Sequence, residues 1–108
     1  MANLFTSYVA KNVGTSASTL LTVAASTQTT VIGLTVANTT SSQITCDVYV
    51  TRSAVDYYVV KGAAVQAGTS FVASGGDQKL VLKTSDALKV VTSTASSADV
   101  FVSVLEIT

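Results

Sequence analysis

From Gln43 to Arg52 the chain alternates without a break. Ile44, Cys46, Val48 and Val50 take one set of positions, and Thr45, Asp47, Tyr49 and Thr51 the other. A period of two sends successive side chains to opposite faces of an extended strand, so this segment suits a pleated sheet and no helix. The last segment goes further: Val100, Val102 and Val104 alternate with Phe101, Ser103, Leu105 and Ile107, leaving both sides largely apolar. A strand of that kind is usually covered on both sides. No window sustains apolar residues at i, i+3, i+4 and i+7, and no helix longer than one turn is expected. Valine is the commonest residue and Ser plus Thr exceed a quarter of the chain, a β-branched bias that fits strands and loses rotamer freedom in helices.

Turn signals divide the chain into Val9–Val13, Thr19–Ala24, Thr30–Ala37, Gln43–Arg52, Asp56–Lys61, Ser70–Ala73, Gln78–Lys83, Ala87–Thr92 and Asp99–Ile107. Short strands at this spacing predict an all-β fold, a single antiparallel β-sandwich of jelly-roll or Greek-key type with eight to nine strands. The 108 residues suffice for one domain. An N-terminal arm is expected over residues 1–7, and the sandwich over 8–108. The similarity of Thr30–Thr39 to Asp99–Thr108 follows from strand periodicity and is no repeat.

Composition removes most chemistries. The chain has no His, Pro or Trp, and a single Cys. Ser-His-Asp and Cys-His nucleophile activation are excluded, as are imidazole zinc ligands, an internal disulfide and a multi-Cys metal site. Six Lys plus Arg balance six Asp plus Glu, which speaks against a phosphate-binding surface and so against a nucleic-acid partner. No stretch approaches the roughly 20 apolar residues of a spanning helix, and no basic, then apolar leader opens the chain. No membrane partner and no export are expected, and Cys46 suits a reducing compartment as a small buried hydrophobe.

The remaining local features read as structure. Gly75-Gly76-Asp77-Gln78-Lys79 lacks the spacing of a phosphate loop and is expected to be a hairpin turn. Asp47, Asp56, Asp77, Asp86, Asp99 and Glu106 stand singly, as turn or solvated residues rather than a metal site. Tyr57 and Tyr58 point to opposite faces of their strand. One is expected in the core with its hydroxyl at the rim and the other exposed or in an interface. With Tyr49 on a neighbouring strand they are expected to give cross-strand aromatic packing, the alternative being a sugar-stacking platform. No Ser-x-x-Lys occurs. No catalytic, cofactor-binding or metal residue is assigned, and the chain is not expected to be an enzyme. Edges normally defended by Lys, Pro and net charge have little of any here, so the two-sided last strand points to self-association, the alternative being cover by a second sheet or by the N-terminal arm of the same chain.

Several runs carry a resemblance. They are Asp56-Tyr57-Tyr58-Val59-Val60-Lys61, Ala67-Gly68-Thr69-Ser70, Gly75-Gly76-Asp77-Gln78-Lys79-Leu80-Val81-Leu82, Asp86-Ala87-Leu88-Lys89-Val90 and Ala98-Asp99-Val100-Phe101-Val102-Ser103-Val104-Leu105-Glu106. Together, over about the last two thirds of the chain, they resemble small β-sandwich virion structural proteins of tailed phages, cyanophages in particular, and most of all capsid decoration or cement proteins. The resemblance implies a homo-oligomer, a trimer favoured, that binds major capsid protein or another virion protein on the outer shell and clamps it against DNA pressure without a cofactor. It implies residence in the virion, assembled in the host cytoplasm. The interface expected on this reading comprises Leu4, Phe5, Tyr58, Phe101, Leu105 and Ile107. Alternatives are a tail, neck or baseplate component, or a carbohydrate-binding module with a glycan on Tyr49, Tyr57 or Tyr58.

Overall fold

A computed structural model describes residues 3–74 and 79–108, and Gly75-Gly76-Asp77-Gln78, most of the segment expected to form a hairpin turn, lies outside them. Its strands are β1 (Asn3–Val13), β2 (Ser18–Thr22), β3 (Gln28–Asn38), β4 (Ile44–Arg52), β5 (Val55–Val65), β6 (Ser70–Ser74), β7 (Leu80–Leu82), β8 (Ala87–Thr92) and β9 (Ala98–Ile107). One sheet runs β1-β9-β3-β6, with β7 also on β3; the other runs β2-β8-β4-β5. Every pairing is antiparallel. With β7 set aside, that order interleaves early and late strands in both sheets, which is the jelly-roll form of the double Greek key. The expected all-β sandwich is the observed one.

Alternation decides which residues face inward, with a one-residue shift between Val31 and Gly33 resetting it in β3. Val31, Leu34 and Val36 of β3 and Val100, Val102 and Val104 of β9 are buried against Ile44, Cys46, Val48 and Val50 of β4 and Leu88 and Val90 of β8. Each fully buried Val or Leu contributes about 1.5–3 kcal/mol relative to exposure, so these two inner faces are the principal source of stability. The β3–β4 connection is fixed by buried Asn38, whose Nδ2 donates to the Ser42 and Val65 carbonyls at 2.8 and 3.0 Å while its Oδ1 accepts from Thr40 N–H at 2.9 Å. Near the end of β1, a Cβ on Gly14 would stand 2.9 Å from the Ser96 nitrogen, so this close approach needs glycine.

Several boundaries differ from the sequence reading. From Asn3 onward, the segment read as an arm runs as the first half of β1, paired along β9 from Asn3↔Ile107 to Ala10↔Val100. The strand read as ending at Lys61 continues to Val65. It passes Gly62, which absorbs an extra residue at a positive φ of 71°. The β4–β5 hairpin turns through Ser53 and Ala54, both at positive φ (53° and 63°), a pattern typical of a type I′ turn although neither residue is Gly or Asn.

Candidate interaction surface

The two sheets present different outer faces. On the β1-β9-β3-β6 sheet, the register places Phe5 beside Leu105, Val9 beside Phe101, and Thr35 beside both Phe101 and Val72. Phe5 is 73% exposed, Val9 68%, Val72 62% and Phe101 52%, with Val81 of β7 on the same side. Leu105 and Ile107 are half-buried between their neighbours. At the Lys11 end of this face, Lys11 Nζ and Asp99 Oδ2 are 3.5 Å apart. Beside them Val9, Thr35, Ala37 and Phe101 line a shallow groove of about 320 Å³. Five exposed large apolar side chains share this face, with Thr35 between Phe101 and Val72 and Thr30 between Leu105 and Val81, an apolar surface of the kind that marks an interaction site.

The outer face of the other sheet is polar and internally satisfied. Tyr49 and Tyr58 pack across the β4–β5 pair with ring centroids 5.1 Å apart, and Lys61 Nζ lies 4.5 Å from the Tyr58 centroid. Asp47 accepts from Gly62 N–H at 2.6 Å and has Lys61 at 3.8 Å. At the strand ends, Arg52 donates from Nε (2.8 Å) and from its terminal nitrogen (2.5 Å) to the buried carboxylate of Asp86, which also accepts from Lys83 N–H at 2.8 Å. The Arg52 bonds hold Asp86 below the ordinary carboxylate range, against the opposing effect of its burial. Tyr57 lies on the other side of β5, over a groove of about 210 Å³ between β5 and β7 with Val59, Leu80 and Leu82.

The residues read as interface therefore separate. Phe5, Phe101, Leu105 and Ile107 share one face. Leu4 projects to the opposite side of β1, paired with Glu106, and Tyr58 belongs to the other sheet. Val9, Val72 and Val81 were not anticipated. Their membership depends on which strands are neighbours, and no local pattern carries that. Glu106 accepts from the Tyr8 hydroxyl at 2.5 Å, a bond that pushes the Tyr8 phenol up. Cys46 is buried and its thiol is raised, mainly by desolvation, which suits a packing role. Among the described residues no three Cys, Asp or Glu side chains gather as a metal site.

No family model matches the chain, and no curated protein matches it in sequence. Solved structures do. A protein of Bacillus endospore appendages, described as disulfide-linked pili, aligns with a TM-score of 0.57 and 13% identity over 98% of this chain and 88% of that one. A chain of the infectious bursal disease virus particle aligns at 0.52 and 13% identity over 96% of this chain and 35% of its own. A chain of the Gt strain of that virus aligns at 0.50 and 13% identity over 97% and 32%. The chain thus spans about a third of each viral chain. At such identity the likeness is one of fold.

Proposed function

We propose that this chain is a non-enzymatic virion structural protein, a head-decorating (cement) module of a tailed phage that binds the outer shell and gathers as a trimer at a threefold position of the lattice. The observation that carries the reading is the uncharged apolar stretch of the β1-β9-β3-β6 face, which leaves Phe5, Val9, Val72 and Phe101 in water on a free chain. A rigid module presented in many copies gains from such a face by avidity, with modest affinity per copy. Likeness of fold to viral particle and pilus proteins supports a role in an assembly.

A second reading, a repeated subunit of a tail, neck or baseplate, is favoured by size, because the chain covers 88% of the spore-appendage protein. The disulfide linkage of that appendage does not transfer, since Cys46 is the only cysteine and is buried. Antibody-gold labelling of particles of the encoding phage separates the readings. Label over the whole head is expected. Label confined to the tail or neck favours the second reading, and unlabelled particles overturn both. Phe101→Asp is expected to abolish attachment to the head while leaving the melting temperature nearly unchanged, because the ring is already half in water.

A further inference from the structure

An eleven-residue strand on the edge of a sheet presents a row of backbone N–H and C=O groups ready to pair with another chain. Among the described residues, β1 has β9 on one side and no strand on the other. Its ladder with β9 runs without a shift from Asn3 to Ala10, and the irregularity comes only beyond, at Asn12, where φ is 55°. Over that run there is no charge, no Pro and no bulge to block a new neighbour. The sole charge on the strand, Lys11, already faces Asp99 of its own chain.

The strand is also its own complement. Asn3-Leu4-Phe5-Thr6-Ser7-Tyr8-Val9-Ala10-Lys11 reads alike from both ends: polar, apolar, apolar, hydroxyl, Ser7, hydroxyl, apolar, apolar, polar. We propose that the open edge of β1 pairs antiparallel with β1 of a second copy, about a twofold axis through Ser7, extending the sheet across both copies. In this register Phe5 of each chain lies opposite Val9 of the other on the outer face, Leu4 opposite Ala10 on the inner side, Thr6 opposite Tyr8 and Asn3 opposite Lys11. No like charges meet. Moving the axis to Tyr8 would set Phe5 opposite Lys11 and break the apolar pairs. Cross-strand pairs of this type stabilise a ladder, and a twofold contact of one surface with itself closes at two copies.

The pairing also joins the two exposed faces into one apolar surface, because Phe5 and Val9 stand at the seam and lead to Leu105 and Phe101. A single pair of strands buries less than the roughly 1,200–2,000 Å² of a stable complex. The pair therefore dissociates on dilution, and an array reinforces it. The inference goes beyond the head-decorating reading and holds equally for a tail subunit. On a shell the twofold would link neighbouring trimers.

The test is a cysteine placed on the axis. In a Cys46→Ala background, Ser7→Cys brings two thiols to directly opposed positions, with Cα atoms about 4.5–5.5 Å apart in an antiparallel ladder. That separation lies within the range a disulfide spans. Mild oxidation is expected to convert most of the chain to a covalent dimer, whereas Lys61→Cys on β5, in the same background, stays single. Ser7→Lys faces its own copy across the axis and is expected to weaken association at least tenfold by sedimentation equilibrium. Mixing Ser7→Lys with Ser7→Glu is expected to restore it. The exposure of Ser7 keeps these variants folded, which thermal melts check. Equal crosslinking of Ser7→Cys and Lys61→Cys, or an unchanged mass distribution for Ser7→Lys, overturns the proposal.

Discussion

β1 and β5 are both eleven-residue strands, and each closes one edge of its sheet, but their outer sides are built differently. β5 carries Asp56 and Lys61 and takes two extra residues relative to β4, one between Ala63 and Val60 and one between Val60 and Tyr58. Charge and bulges are the usual means of keeping an edge from pairing with a stranger. β1 has neither over Asn3–Ala10. The same contrast extends across the two faces: the sheet ending in β5 is dressed with Asp47, Lys61 and Tyr58, and the sheet ending in β1 with Phe5, Val9 and Phe101. One face is largely polar and the other largely apolar, so the partner proposed above would meet the molecule from one side.

If charge secures the β5 side, acid should act there first. Asp86 is buried and its folded pKa lies below the roughly 3.9 of an unfolded Asp. Its contribution is therefore complete above that unfolded value and is lost as pH falls through the folded one. Asp86→Asn is expected to cost roughly 1–3 kcal/mol at neutral pH, since half-exposed Arg52 recovers water while the Lys83 N–H loses its ionised acceptor. The variant should also show a flatter stability profile below about pH 4. Thermal melts from pH 2 to pH 7 check both. A loss equal at all pH values would detach Asp86 from the charged side of the comparison.

The bulge comes next. Gly62 sits at φ +71° with no atom near where a Cβ would lie, so Gly62→Ala meets only backbone strain, about 1–2 kcal/mol. The same measurement on Asn12, the bulge residue of β1, should show less, because Asn already tolerates φ 55° and Asn12→Gly would be nearly neutral or slightly stabilising. Inside the other sheet, Thr29 Oγ1 is buried without a hydrogen-bond partner among the described residues. Thr29→Val is expected to stabilise by about 1 kcal/mol, read as a higher urea midpoint at an unchanged slope.

How much of this was legible follows from what each feature depends on. Strands that alternate cleanly, Gln43–Arg52 and Asp99–Ile107, were readable because their period is intrinsic to the residues. β1 was read only from Val9, because Leu4 and Phe5 stand together and Thr6 and Ser7 carry no burial signal. Pairing with β9 makes those residues a strand. The Ser53-Ala54 turn was unreadable, since its positive φ angles are imposed by the hairpin on residues that do not announce them. The apolar face was half seen: Phe101, Leu105 and Ile107 show in one strand, but Val9, Val72 and Val81 join them only through sheet order. Tyr58, expected in the same interface, lies on the other sheet, because strand neighbours decide which surface an exposed residue joins.

The smallest effect on stability carries the sharpest division. Lys61 and Asp56 make exposed contacts, to Asp47 at 3.8 Å and Thr51 at 2.7 Å, so replacing them by Val and Thr should change stability by less than about 1 kcal/mol. Assembly is where they count. With β1 closed by Ser7→Lys, the added pair Asp56→Thr and Lys61→Val is expected to restore concentration-dependent association through β5, detected as a rise in mass by light scattering. Should that triple variant stay monomeric, charge is dispensable on β5 and the bulges near Gly62 and Val59 close the edge unaided. Introducing a bulge into β1 would then be the stricter way to abolish its pairing, because it acts on the backbone ladder itself and leaves Phe5, Val9 and the apolar face in place.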